Sequence, residues 1–250
     1  MLYKIFDFKG KQNNSIFLEL NKFLDSQGHI YSEGDFEYLF VIGGDGSFIH
    51  FAKEYAFKSK KIIGIKSGNL TFIPDFSIPE LNLNSLEFVD IELLQLEISG
   101  NNYYAFNDIY ISGSLFLEAE IYINNFFLDL FKGSGLLLAT QKGSTGKNKS
   151  LGGPILAPES NLWLINEIGA NNTNKNRSLD CPIVLKEEDY IEIRIPKSEN
   201  YRIYIDGRDI NISSELTLKV KLIKGNSKVV KSAWNTYANK LSDTFLNHHG

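Results

Sequence analysis

Residues 41–50 read VIGGDGSFIH and set one carboxylate, Asp45, among three glycines, where a hydrophobic run gives way to a segment of helical periodicity. A turn that leaves a buried parallel strand and opens a helix presents backbone N–H groups at the positive end of the helix dipole, where phosphate binds. Gly43, Gly44 and Gly46 suit such a cradle, because a backbone without Cβ atoms lets the anion approach closely. Asp45 does not suit it, since a carboxylate repels phosphate oxygens. It suits an acceptor hydroxyl, whose proton it would take or orient while the amides hold the donor. The alternative from these four residues alone is a tight turn with Asp45 as a helix N-cap. Neither the dinucleotide fingerprint GxGxxG nor a Walker P-loop is spelled in this turn.

Residues 133–158 read GSGLLLATQKGSTGKNKSLGGPILAP, with six glycines and a cluster of hydroxyls and amides after the hydrophobic run LLLAT. Such hydroxyls can bind a ribose and a pyrophosphate. Two further segments belong with these: Asn107 and Asp108 in AFNDIYI, and GIKSGNLTFIPDF from Gly64.

Taken in order, the four segments resemble those of the NAD kinase family, and the similarity covers most of the chain. The resemblance implies phosphoryl transfer from ATP, or from inorganic polyphosphate, to the adenosine 2′-hydroxyl of NAD, with Mg²⁺ on the donor. It implies that Asp45 accepts or orients the 2′-hydroxyl and that Asn107 and Asp108 grip the adenosine. It also places Phe72 near the adenine, and Gly46, Thr145, Gly146, Lys147 and Ser150 along the dinucleotide. Asp206 and Gly207 match a family Asp-Gly turn near the site. The chain departs from the family pattern at Asp108, usually Glu; at Ser134, where an Asp serves the nicotinamide side; at Lys147, commonly Tyr; and at Thr71, usually Gly. These departures bear chiefly on nicotinamide-side recognition. A binding homologue without transfer activity and a lipid kinase of the same superfamily are the rival readings. Small molecules are the expected partners, and a homodimer or homotetramer is implied by analogy with the family.

The elements that must position these residues follow from periodicity. Residues 2–8 read as a strand, and Ile16, Leu20, Phe23 and Leu24 as one face of a helix begun by Asn13, Asn14 and Ser15. Residues 38–42 read as a buried strand, and Phe48, Phe51, Ala52 and Tyr55 as the inner face of a second helix. Residues 61–65 form a third strand ending at Gly64. This alternation predicts a parallel sheet. From Ile91 the period changes to two, as in Ile191, Ile193 and Ile195, in Tyr201, Ile203 and Ile205, and in Leu216, Leu218, Val220 and Leu222, with Asp206 and Gly207 as a hairpin turn. The expected fold is therefore an α/β N-terminal domain with a parallel sheet (1–90), followed by a largely antiparallel β-rich dinucleotide-binding domain (91–233). The segment 234–250, helical through Tyr237, Leu241 and Phe245, is expected to pack back on the first domain.

Composition narrows the class of function. The formal net charge of −4 over 250 residues, with acids and bases interspersed, offers no basic field for nucleic acid or an anionic membrane. No apolar run reaches the length of a membrane span, and the first residues lack a signal peptide's apolar core, so the expected location is cytoplasmic. Cys181 is the single cysteine; it permits no intrachain disulfide and is read as a small packing residue. His29, His50, His248 and His249 show no metal-ligand spacing. Asp35 and Glu37 read as a solvated edge, and 171–176 as a polar loop. Trp163 and Trp234 read as core. Phe126, Phe127, Leu128 and Leu130 read as β-core, with a subunit interface as the alternative.

Overall fold

The computed structural model describes residues 1–7, 15–67, 71–74, 76–174, 176–196, 200–210, 217–231 and 234–246. The expectations for Phe8, Asn13, Asn14, Leu216, His248, His249, residues 68–70 and 75, and the side chain of Trp234 lie outside the described residues. The chain forms two units, Met1–Ile91 with Lys224–Gly250, and Glu92–Ile223.

The first unit is built on β1 (Leu2–Asp7), α1 (Ser15–Ser26), β2 (Ile30–Tyr31), β3 (Tyr38–Gly43), α2 (Asp45–Tyr55) and β4 (Lys61–Lys66). Its strands pair in parallel, β2 on β1, β1 on β3 and β3 on β4. β3 is apolar without interruption because helices cover both of its faces: residues 39–43 are all buried, as a parallel strand between two helical layers requires. Leu20 and Leu24 of α1 join Ile5, Phe40, Ile42, Ile63 and Ile65 in one core. On the opposite face, Phe51 of α2 stacks on Phe6 at 4.4 Å. β4 does not stop at Gly64 as its composition suggests. Gly64 is there for close approach, since a Cβ would meet Pro74 Cα at 2.8 Å and the Phe48 ring at 3.0 Å.

The second unit is antiparallel. Its strands are β5 (Phe88–Ile98, which enters from the first unit), β6 (Asn101–Ala105), β7 (Asp108–Ile123) and β8 (Phe126–Thr140), followed by the short helix α3 (Lys147–Ser150). Then come β9 (Leu162–Ile168), β10 (Ile183–Lys186), β11 (Tyr190–Arg194), β12 (Tyr201–Ile205), β13 (Arg208–Asp209) and β14 (Thr217–Val230). β7 organises the sheet: it pairs with β8 along most of its length, with β12 near its start and with β11 near its end. Alternate residues of β7, β11, β12 and β14, among them Ile109, Ile111, Ile193, Ile203, Ile205 and Val220, fill the core. β14 then returns to the first unit, where Lys228 and Val229 pair in parallel with Lys61 and Ile62, and α4 (Trp234–Phe245) follows it.

Two packing expectations are corrected. Phe126 and Phe127 are 79% and 58% exposed, and Leu128 and Leu130 are also open. They occupy the far end of the β7–β8 hairpin, beyond the residues that close the core, so an apolar run there is not a buried strand. Cys181 is exposed, in the irregular segment that precedes β10, where no side chains converge to bury it. Trp163 is fully buried, as expected.

Candidate active site

The glycine turn lies at the carboxyl end of β3. Gly43 closes the strand, and its glycine identity is steric, because a Cβ would meet Ser47 Cβ and Oγ at 2.7 Å. Gly44 is the N-cap of α2 and Asp45 is its first residue, so Asp45 is not the cap. The carboxylate of Asp45 turns instead to the chain beyond β4. Its Oδ1 accepts the amides of Phe72 and Ile73, both at 2.9 Å, and its Oδ2 has the Phe72 amide at 3.3 Å. Two amides thus saturate Oδ1, while Oδ2 shares only the longer Phe72 contact and keeps acceptor capacity for a further partner. The first amides of α2 have no acceptor within the helix, which is the arrangement that receives an anion. Oδ2 is also a hard oxygen of the kind Mg²⁺ accepts alongside substrate phosphates. Among the described residues, no three His, Cys, Asp or Glu side chains converge into a metal cage. Phe72 is half-buried, its ring set against Tyr237 and Phe245 of α4 at 5.8 and 6.0 Å.

The second unit carries the Asn107–Asp108 pair. Asp206 and Gly207 form the turn between β12 and β13 with φ of 48° and 77°, the left-handed pair that a two-residue hairpin needs. The turn has a second task. The carboxylate of Asp206 accepts three consecutive amides, Phe106 at 3.0 Å, Asn107 at 2.7 Å and Asp108 at 3.2 Å, and so fixes the backbone where β7 begins. From the other side Thr140 Oγ1 donates to the Phe106 carbonyl at 2.7 Å, and the Gly143 amide donates to Thr140 Oγ1 at 3.0 Å. Gly143 lies so close to the Asn107 carbonyl that no Cβ fits there.

Within this frame Asn107 keeps a buried side-chain oxygen, Oδ1, without a hydrogen-bond partner in the protein. A buried acceptor left open is costly unless a ligand satisfies it. Asp108 is buried beside it. Desolvation first, and then the Asp206 charge, push its carboxyl up to about 6, with Lys147 pulling the other way. Lys147 is exposed and sets its ammonium 3.4 Å from the centre of the Tyr110 ring. The neighbouring segment is pinned by an unanticipated residue, Asn148, which is fully buried. Its Nδ2 donates to the Ser144 and Pro154 carbonyls at 3.2 and 2.8 Å, and its Oδ1 receives the Asn166 amide at 3.2 Å. Gly153 of the GGP turn leaves the space that Asn148 fills.

Not every expected residue joins this cluster. Thr145 is buried and spends its hydroxyl proton on the Lys142 carbonyl at 3.1 Å. Gly146, which precedes α3, and Ser150, its last residue, are exposed. Ser134 is exposed on β8, five residues before Ala139, the partner of Asp108. That spacing puts it roughly 17 Å along the strand from Asp108.

The sequence model of the ATP-NAD kinase C-terminal domain matches residues 107–232. The chain is 34% identical to an NAD kinase of Ureaplasma parvum over 84% of its own length and 81% of that protein. It is 28% identical to an NAD kinase of Mycoplasma pneumoniae over 98% of its length and 99% of that protein. In fold it is similar to yeast NADH kinase, solved in complex with NADH, at a TM-score of 0.79 and 17% identity, covering 100% of this chain and 89% of that one. It is likewise similar to an NAD kinase from Archaeoglobus fulgidus in complex with ATP, at 0.75 and 17% identity, covering 98% of both chains.

Proposed function

The chain belongs to the NAD kinase family, and on that premise we infer that it phosphorylates NAD to give NADP, with ATP as the phosphoryl donor. The observation that carries the mechanism is the carboxylate of Asp45, fixed by the Phe72 and Ile73 amides at the start of α2, with Oδ2 held only by the longer of these contacts. In our reading that oxygen takes the proton of the adenosine 2′-hydroxyl. The hydroxyl oxygen then bonds to the terminal phosphorus, the bond from that phosphorus to the bridging oxygen breaks, and ADP leaves. Gly43, Gly44 and Gly46 let the amides of the turn hold the transferred group. Asn107 and Asp108 grip the adenosine, and the open acceptor on Asn107 supports a donor from the ligand at that position. Phe72 supplies a ring for the adenine, and Thr145, Gly146, Lys147 and Ser150 line the dinucleotide. Ser134, set apart along β8, is assigned to the nicotinamide side. Mg²⁺ is expected on the donor phosphates, where it would neutralise charge.

Several finer points belong to the same proposal. The α/β part (1–90, with 234–250) handles phosphate and the β-rich part (91–233) the dinucleotide. Location is cytoplasmic; no helix among the described residues is long and apolar enough to cross a membrane. The exposed apolar end of the β7–β8 hairpin supports self-association as a homodimer or homotetramer.

The test is to incubate the purified protein with NAD, Mg²⁺ and either ATP or inorganic polyphosphate, and to read the product with an NADP-specific dehydrogenase. Turnover with ATP is the expected result. NAD binding without turnover would identify a non-catalytic homologue and overturn the assignment.

A further inference from the structure

The C-terminal helix brings a cation to the glycine turn. Tyr237 and Lys240 are three residues apart on α4 and share a face. Tyr237 lies against the Phe72 ring, and the Lys240 ammonium is 5.9 Å from the centre of the same ring. Phe72 is also the residue whose amide holds Asp45. Lys240 is half-buried there, within electrostatic range of both Asp45 and Lys66. Lys66 comes from a different element: it is the last residue of β4 and stands directly opposite Gly43 in the β3–β4 ladder.

Two lysines thus share an electrostatic neighbourhood with the Asp45 carboxylate, Lys66 being within range of Glu80 as well, and the start of α2 adds positive partial charge. Burial and the Lys66 charge already disfavour the Lys240 ammonium, holding it down to about 8 against the pull of Asp45. Like charges near one another in a partly desolvated site gain from an added anion. The carboxyl end of a parallel sheet is where a ligand would supply one.

We propose that Lys240 and Lys66 bind the phosphate chain of a nucleotide laid against the start of α2, the C-terminal helix thereby contributing a substrate-contacting residue to the reaction. The inference rests on the reading of the glycine turn as the phosphate site. Lysine suits this task as a compact point charge able to meet non-bridging oxygens whose orientation changes during transfer. Without Lys240, the amides and Lys66 alone would have to balance the chain.

The full-length protein and its Lys240→Met and Lys240→Arg variants are titrated separately with inorganic tripolyphosphate, ATP and NAD by calorimetry, with melting curves to confirm folding. Lys240→Met should weaken tripolyphosphate and ATP by about tenfold or more, and Lys240→Arg should recover most of the loss. A loss confined to ATP and tripolyphosphate assigns the chain to the donor. A loss in NAD alone assigns it to the dinucleotide pyrophosphate, and both results support the contact. Parental affinity of Lys240→Met for all three ligands overturns it. Should Lys240→Met melt early, Lys66→Met on β4 gives the same readout from the other side. These titrations need no turnover, so a parental protein that failed to make NADP would count against the assigned reaction while leaving the lysine contact measurable.

Discussion

The two oxygens of Asp45 are unequal, and that inequality separates binding from transfer. Asp45→Asn keeps an oxygen for the Phe72 and Ile73 amides while replacing the more loosely held oxygen with a donor. Turnover should therefore fall by about 10²- to 10⁴-fold, with NAD affinity and melting temperature close to parental. Steady-state kinetics beside an NAD titration checks this. Asp108 makes a different prediction. If its charged form grips the adenosine, NAD affinity should rise with pH as the carboxyl ionises, with a midpoint near its raised value of about 6. Lys147 is the cation that lowers that value, so Lys147→Met should move the midpoint upward in NAD titrations across pH; an unmoved midpoint would detach Lys147 from Asp108. The glycines around Asp45 and the Asn107–Asp108 pair were legible in the sequence, because turn chemistry and polar residues entering an apolar strand stand out locally. What holds them was not legible. Asp206 is about a hundred residues from the amides it accepts, and in sequence it reads only as half of a hairpin turn.

At the scale of elements, close approach replaces periodicity as the controlling fact. Gly143 sits against the Asn107 carbonyl, and a Cβ would also come within 2.8 Å of Asn107 Cα. Gly143→Ala must push the turn after β8 away from Asn107, the residue that leads into β7, an overpacking that costs about 1–3 kcal/mol. The expected result is a lower melting temperature together with weaker NAD binding, since the displaced backbone carries Asn107 and Asp108. The parallel and antiparallel halves were readable because apolar runs and alternating runs bury different numbers of faces. Gly64 misled because a glycine that admits Pro74 looks, in sequence, like one that ends a strand. Lys240 was invisible for a related reason: helical spacing reports which residues of α4 turn inward, but not that they meet the loop that fixes Asp45.

At the scale of the molecule, Phe126–Leu130, apolar except for Asp129, read as core because clustered hydrophobic residues usually mark a buried strand. The structure leaves it open at the end of a hairpin. If copies of the chain meet there, Phe127→Glu should shift the species observed by light scattering toward monomer, with the melting temperature of the monomer unchanged. The path of the chain has one more consequence, which concerns synthesis. β4 is the partner of β14, and everything in the second unit is made between them. Phe76 bridges Ile65 soon after β4 is made, but at ~5–20 residues per second on the ribosome the outer edge at Lys61 and Ile62 waits on the order of ten seconds for its neighbour. An unpaired strand edge is a template for mispairing with other nascent chains. The yield of native protein is therefore set in part by a race during translation, between aggregation at that edge and arrival of the last strand. Slower elongation across residues 92–223 would lengthen that race without altering a single contact of the finished fold.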